Sequence, residues 1–352
     1  MKILKQLKKI KNTVFKSRVY KEIGIDLGTA NTIIYVKNDG ILVDEPTYVS
    51  RNIKTEVVDK IGNDAKRIAG RRPNFIEIIR PLKNGVISNY EMTVKMLGDF
   101  LERIGKDAVL QGKAIVCVPS GVTQVEKRSF FNVVSDLGIK EVYLVEEPIV
   151  AAIGAGIDIF EPKGHLIVNV GAGTTEIAFV ASGGASKSES IKIAGDDFDA
   201  DIIEFIKDQY SIIIGETSAE KLKILATSAP TDKEEITIKG MGTANGLPQE
   251  LVIVGSQVDA AIKKNIDKIV EKIKIALEEI EPEISADIYE TGIYLTGGGA
   301  NIRILKQRIE EEFKLKVTIS EDSIHTVVNG MARIFDDFDK YGNIIVPQYM
   351  EY

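Results

Sequence analysis

The chain repeats itself. Ile25-Asp26-Leu27-Gly28-Thr29-Ala30-Asn31-Thr32 and Val168-Asn169-Val170-Gly171-Ala172-Gly173-Thr174-Thr175 align position for position, 143 residues apart. Each is an apolar strand, an Asp or Asn, one more apolar residue, a glycine, small or hydroxyl residues, and then a second strand. One such β-hairpin is common, because turns favour Gly, Thr and Asn. A matched pair in the two halves of one chain points instead to a duplicated unit. Turns this rich in Gly and Thr present clustered backbone N–H donors to phosphate oxygens. A third small-residue turn, Leu295-Thr296-Gly297-Gly298-Gly299-Ala300, follows a strand and precedes a helix. Its glycines let a nucleotide approach the backbone closely.

Around these turns, strand patterns at 22–27, 32–37, 113–118, 141–145, 165–170, 175–181 and 292–296 alternate with helical periodicity at 91–104, 123–137, 147–156, 197–210, 217–227, 258–280 and 302–313. That alternation predicts an α/β protein with mixed sheets. The stretches 51–74 and 228–250 read as strands and turns of peripheral subdomains. At 352 residues the chain is long enough for two domains. A single cysteine, Cys117, excludes a disulfide framework. Two histidines, His165 and His325, cannot build a His/Cys zinc site. Cys117, in a strand before Pro119, reads as a buried core thiol. No P-loop, dinucleotide or protein-kinase motif is present.

Backbone amides, one cation and a carboxylate would suffice for phosphate chemistry here. Asp26 suits Mg²⁺, which keeps most of its water and takes one or two carboxylates. Glu146-Glu147-Pro148 ends a strand and opens a helix, where a glutamate could orient a water for attack on a γ-phosphate. The same charges would also complement a helix N-terminus.

Together, the two hairpins, the helix after Glu147 and the GGG turn resemble the phosphate-1, phosphate-2 and adenosine motifs of the actin, Hsp70 and sugar-kinase superfamily. Within it the chain resembles the MreB family of bacterial actins from about residue 20 to 340. The strings that carry this are GIDLGTANTIIYV (24–36), VPSGVTQVEKR (118–128), VEEPIVAAIGAG (145–156), IAGDDFD (193–199), GETSAEKLK (215–223) and LTGGGA (295–300). The resemblance implies an actin-like fold of two large subdomains, each a mixed sheet flanked by helices, with two small inserted ones. The expected division is 22–50, 92–161 and 341–352 for the first large subdomain and 51–91 for its insert. The second large subdomain would take 162–198 and 262–340, with 199–261 inserted.

The resemblance further implies ATP and Mg²⁺ as ligands and slow ATP hydrolysis coupled to filament assembly. Gly28, Thr29, Ala30 and Asn31 would form the first phosphate loop, with Asp26 serving the metal. Gly171, Ala172, Gly173, Thr174 and Thr175 would form the second. Glu147 would position the attacking water beside Thr174. Glu220 and Lys223 would face ribose and base, and Gly297, Gly298 and Gly299 would line the adenosine. Read without the resemblance, Glu220 and Lys223 are a surface ion pair.

Two residues depart from the family pattern. The second loop of the family begins with an aspartate and reads D-x-G-G-G-T, whereas this chain has Asn169 and Ala172. Asn169 carries no charge, and Ala172 would be strained in a turn needing positive φ. ATP binding with slower hydrolysis is the expectation. A superfamily small-molecule kinase would need a substrate-facing base, for which no residue presents itself. A filament scaffold with negligible ATPase is the other alternative.

The formal charge of −7 argues against nucleic acid as a partner. It also hides an asymmetry. Residues 1–22 carry eight basic side chains and one acid, leaving −14 on the remaining 330 residues. Ile3, Leu7, Ile10 and Val14 would form one apolar stripe beside a lysine face if residues 1–21 are helical. Such a segment suits the interface of an anionic membrane; a solvated basic tail is the plainer reading. No apolar run approaches the length of a membrane span. With Val109 and Leu110, which match a membrane-dipping loop of the family, residues 1–20 would give a two-point anchor at the inner face of the cell membrane. The expected partners are copies of the chain itself, related actin-like copies and that membrane. Adjacent Phe130 and Phe131 cannot both face one core from a helix, so one is a candidate for a contact between protofilaments.

Overall fold

A computed structural model describes residues 21–105, 109, 112–228 and 231–347. The proposed basic helix of residues 1–20 lies outside the described residues, as does Leu110.

Along the chain, β1 (Ile23–Leu27), β2 (Asn31–Val36) and β3 (Gly40–Pro46) form an antiparallel meander. A small antiparallel sheet follows, built from β4 (Val49–Asn52), β5 (Val58–Ile61) and β6 (Ile76–Ile79), with α1 (Asn63–Ile68) between the last two. The short hairpin of β7 (Leu82–Lys83) and β8 (Val86–Ile87) turns through Asn84 and Gly85, both at positive φ. Then come α2 (Tyr90–Arg103), β9 (Lys113–Val118), α3 (Gln124–Asp136), β10 (Glu141–Glu146) and α4 (Glu147–Gly154). Both β9 and β10 run parallel to β1 and extend the first sheet to the order β19-β10-β9-β1-β2-β3, where β19 is Val346–Pro347.

The second half repeats this plan. β11 (His165–Val170), β12 (Thr175–Ala181) and β13 (Gly184–Ile191) form a meander. α5 (Gly195–Tyr210), β14 (Ile212–Ile213), α6 (Glu216–Ser228), β15 (Glu235–Gly242), β16 (Pro248–Val254), α7 (Gly255–Glu278) and α8 (Pro282–Thr291) follow. β17 (Ile293–Thr296), α9 (Arg303–Phe313), β18 (Val317–Ile319) and α10 (Thr326–Asp336) complete the chain up to β19. The second sheet has the order β13-β12-β11-β17-β18, again three antiparallel strands continued by two parallel ones. The duplication seen in eight residues of sequence therefore extends to whole sheets.

Side-chain alternation along the two central strands decides what faces what. In β1, Ile23, Ile25 and Leu27 enter the core shared with α2 and α3. In β11, Leu166, Val168 and Val170 enter the core shared with α5 and α7. The intervening positions, including Asp26 and Asn169, face the other way, toward the middle of the molecule. There a third core joins Ile33 and Ile115 of the first sheet to Ile167, Ala178 and Val180 of the second, through α4 and α10. Each Ile or Val fully enclosed there contributes about 1.5–3 kcal/mol.

The α4–α10 crossing is unusually close. A Cβ on Gly330 would lie 2.0 Å from the Val150 carbonyl oxygen, and one on Gly154 would lie 1.8 Å from that of Thr326. Only glycine permits this approach, and it locks α4 between the sheets. Sequence periodicity missed α10 because its start, Thr-Val-Val-Asn-Gly, is poor in helix formers.

Two readings are corrected. Val109 is fully buried in the first core, so its side chain is packed against protein and cannot insert into lipid. Phe130 is fully buried and Phe131 packs, half-buried, against that same core. The exposed apolar residue of α3 is Val125, at 76%. Cys117 is buried, as its strand position implied.

Candidate functional site

Both turns close with the same register. Leu27 pairs with Thr32 and Val170 with Thr175, so each leaves a loop of four residues, Gly28–Asn31 and Gly171–Thr174. The loops meet edge to edge. A Cβ on Gly173 would fall 2.5 Å from Thr29 Oγ1 and 3.0 Å from the Asn84 backbone. Thr174 is buried against Gly85, whose N–H donates to Thr29 Oγ1 at 3.0 Å.

The first loop is held by hydroxyls. Thr47 Oγ1 donates to the Gly28 carbonyl at 2.8 Å and meets Thr32 Oγ1 at 3.0 Å, while Thr47 N–H donates to the Ala30 carbonyl at 2.8 Å. Asn31 donates to Asp44 at 3.1 Å. The second loop is held by the N-terminus of α5, where Gly195 and Asp196 N–H donate to the carbonyls of Gly171 and Ala172 at 3.1 and 2.8 Å. Ala172 is not among the residues at positive φ, so its Cβ brings no backbone strain. That part of the expectation for the altered loop falls away.

Of the two adjacent glutamates, one turns out and the other in. Glu146 pairs with Lys127 of α3 at 3.4 Å. Glu147, at the start of α4, accepts a hydrogen bond from Asn169 Nδ2 at 2.7 Å. The amide's other end, Asn169 Oδ1, accepts from Thr296 Oγ1 at 3.0 Å. Burial, then the Asp26 charge, pushes Glu147 up to about 8, with the Asn169 hydrogen bond acting the other way. Asp26 is pushed up to about 7 by burial and then by Asp44, with His325 opposing.

Two carboxylates each raised in this way form a site short of positive charge. A divalent cation would remove that deficit, so the residues present fit one. No group of three or more His, Cys, Asp or Glu among the described residues could cage a metal. That leaves an ion such as Mg²⁺, which draws its remaining ligands from water and phosphate.

A third carboxylate was missed in the sequence. Glu176 lies opposite Asn169 in the hairpin, fully buried, and accepts from Ser120 N–H at 2.9 Å and Ser190 Oγ at 2.6 Å. Burial and then Glu147 push it up to about 8. Hidden within a strand pattern, it gave no signal as a polar site.

The GGG turn divides its work. Gly297, at φ +80°, and Gly299 pack on the end of β11, where a Cβ would meet the Val170 oxygen at 2.4 Å and Val170 Cγ1 at 2.3 Å respectively. Only Gly298 has nothing within 4 Å of a Cβ position and so faces open space.

Glu220 and Lys223 do not pair with each other. Lys223 Nζ donates to the Gly195 carbonyl at 2.7 Å and pairs with Asp199 at 2.9 Å, bracing the N-terminus of α5. Glu220 reaches across the mouth of the cleft to Lys66 of α1 at 2.8 Å. A second bridge, Arg80 to Asp196 at 2.7 Å, spans the same gap, and both cations lie over the Tyr48 ring. Sequence reasoning missed this clasp, since partners 116 and 154 residues apart leave no local pattern. His165 starts β11 and packs edge-on against Tyr294; His325 lies just before α10, between Asp44 and Asp322.

The sequence model of the MreB/Mbl protein family matches residues 20–343. The chain belongs to the MreB/Mbl family. It is 41% identical over 323 residues to the cell shape-determining protein Mbl of Bacillus subtilis (strain 168), covering 91% of this chain and 97% of that one. Against the cell shape-determining protein MreB of Escherichia coli (strain K12) it is 38% identical over 336 residues, covering 93% and 97%. Among solved structures, MreB5 of Spiroplasma citri bound to AMPPNP superposes with a TM-score of 0.87 at 33% identity, covering 92% of this chain and 98% of that one. The same protein bound to ADP gives 0.87 as well, covering 93% and 99%. The fold is actin-like: two mixed sheets flanked by helices, with small sheets attached.

Proposed function

We propose that this chain binds ATP with Mg²⁺ between its two hairpin loops, hydrolyses it slowly and assembles into filaments at the inner face of the cell membrane, supporting cell shape or motility. The observation that carries the reading is the pair of four-residue loops meeting edge to edge, with Asp26 and Glu147 half-buried beside them. Backbone amides of Gly28–Asn31 and Gly171–Thr174 suit phosphates, and the open Gly298 edge suits the adenosine. The nucleotides bound by MreB5 support the choice of ligand. When bound, Mg²⁺ would be held by Asp26 through its water shell and would neutralise phosphate charge.

Glu147 would orient and accept a proton from a water, as its raised basicity suits a general base near neutral pH. Asn169 fixes that carboxylate through its amide, and Thr296 fixes Asn169. Thr174 would support the same water. Glu220 and Lys223 would reach the ribose and base by exchanging their present partners. The division into two large subdomains with two small insertions, at the boundaries given above, belongs to this proposal, as does membrane attachment through residues 1–20. No helix among the described residues is long and apolar enough to cross a membrane.

Sedimentation of purified protein with ATP, ADP and no nucleotide, alongside phosphate release, tests the reading. Pelleting with ATP and slow phosphate release without a second substrate are expected. Phosphate release only on adding a small-molecule acceptor, with no pelleting, would point to a kinase. Removing residues 1–20 is expected to abolish co-sedimentation with anionic liposomes.

A further inference from the structure

The segment leading into α10 touches both sides of the cleft. On one side it holds the GGG turn: the Ser323 carbonyl accepts from Gly297 N–H at 2.8 Å, and Ser323 Oγ accepts from Asn301 Nδ2 at 2.9 Å. On the other it reaches β3, where His325 Nε2 meets Asp44 Oδ2 at 3.2 Å, a partner 281 residues away. The second oxygen of that carboxylate, Oδ1, accepts from Asn31 Nδ2 of the first loop at 3.1 Å. A line of polar contacts through Ser323, His325, Asp44 and Asn31 thus runs from the GGG turn to the first loop. The segment is well braced. Thr326 Oγ1 reaches the Asp322 carbonyl at 2.9 Å, Asn329 N–H donates to that of His325 at 2.8 Å, and Gly330 clamps α10 itself.

What faces the imidazole ring decides its protonation. Nδ1 lies 2.9 and 3.0 Å from the two oxygens of Asp322, while Nε2 faces Asp44. Ionised carboxylates only accept hydrogen bonds, and a neutral imidazole has a single N–H to give. Only the imidazolium, with two N–H groups, satisfies both neighbours. The charged groups facing the ring are Asp322 from its own loop and Asp44 from β3, with Asp26 on β1 acting from beyond hydrogen-bond distance. Burial opposes the charge on His325, but its hydrogen bonds to Asp44 and Asp322 outweigh burial and raise it above the ordinary histidine value.

We propose that His325 is a positioning residue for the nucleotide: its imidazolium ties the GGG turn to Asn31 through Asp44, and loss of one proton to solvent releases the tie. The neutral ring keeps one N–H. Asp322, three residues away and close through both oxygens, retains it, so the longer bridge to Asp44 opens. Asp44 then loses the contact that fixes it beneath Asn31, and the two sides of the cleft are no longer joined there. The contribution of His325 to nucleotide affinity is therefore full below its titration and lost as pH rises through it. This inference rests on the nucleotide reading above and adds a control to that same site.

The test compares full-length wild type with His325→Gln and Asp44→Asn, using MgADP, which cannot turn over. Thermal melting checks that each variant folds; the His325 side chain is 25% exposed and Asp44 is exposed as well. At pH 6 wild type is expected to bind MgADP about fivefold or more tightly than His325→Gln, the low end of coupling between sites, with the ratio closing toward one by pH 9. By reciprocity, MgADP must raise the titration midpoint of His325. NMR of histidine labelled at Cε1 reads this directly, since the chain has two histidines. Asp44→Asn is expected to lower that midpoint and to remove most of its response to MgADP. An affinity ratio that is the same at pH 6 and pH 9 would overturn the inference, reducing His325 to packing. A midpoint that answers MgADP equally in Asp44→Asn would overturn it too, leaving only the field of the phosphates. Wild type that binds no nucleotide at any pH brings down the nucleotide reading, and the inference with it.

Discussion

The two hairpins share a backbone and differ in charge. Asp26 and Asn169 occupy equivalent positions on β1 and β11, each facing the middle of the molecule, with Glu147 between them. From one side Glu147 meets a carboxylate that repels it; from the other it receives a hydrogen bond at 2.7 Å from an amide. Had both positions been aspartate, three acids would crowd one half-buried space. Duplication thus supplies two similar cradles, and one substitution gives them different chemistry: Asp26 is a carboxylate that would attract a cation, while Asn169 donates its amide to the glutamate.

The comparison can be broken most directly at its centre. Glu147→Gln removes the proton acceptor and is expected to lower phosphate release by about 10²-fold or more while ATP binding persists; single-turnover assays with ATP titration check this. A variant releasing phosphate at the wild-type rate would remove Glu147 from the chemistry.

Making the two sides alike with Asp26→Asn is expected to weaken the dependence of ATP affinity on Mg²⁺ by about tenfold or more, the size of losing one charge-assisted contact. Its effect on pH dependence has a definite sign. Asp26, Glu147 and Glu176 all have folded-state values raised above their ordinary ones. The folded state therefore holds more protons than the unfolded one between about pH 4 and 8, and stability falls as pH rises through that range. Thermal melts of nucleotide-free protein are expected to show a lower Tm at pH 8.5 than at pH 6, with a shallower slope in Asp26→Asn. A Tm that rises over this interval would contradict the burial of these acids.

Making the sides alike in the other sense, Asn169→Asp with Ala172→Gly, forfeits the amide hydrogen bond to Glu147 but adds a second carboxylate for Mg²⁺. On balance it is expected to raise steady-state phosphate release by up to about tenfold, a barrier change near 1.4 kcal/mol. Because Ala172 is unstrained, Asn169→Asp alone should give nearly all of that gain. It should also lower the Tm without nucleotide, by setting a third charge beside Glu147. The smallest effect belongs to the clasp. Lys66→Ala removes a partly exposed ion pair of about 0.2–1 kcal/mol, so nucleotide should leave only a few times faster, and less so in high salt.

What could be read from sequence follows the same divide between local and distant. The loops were legible because their chemistry is written in consecutive residues, and strands 113–118, 165–170 and 175–181 match the structure residue for residue. The sequence left Glu146 and Glu147 equivalent without the family resemblance; Lys127 and Asn169, arriving from other elements, separate them. The clasp and Glu176 were illegible because their partners lie far away in the chain. Val109 misled because an apolar residue beside lysines looks alike whether its side chain turns toward lipid or into the first core. Asn84-Gly85 was a readable turn signal, but nothing nearby showed that it would close over Thr29 and Thr174.

Glu147 begins the helix that Gly154 and Gly330 clamp between the two sheets, whereas Lys66 and Glu220 meet at the outer rim. Any scissoring of the two halves must turn about that clamped helix as its fulcrum. The rim would then sweep through a wide arc as nucleotide enters and leaves, while the glutamate at the fulcrum keeps its aim.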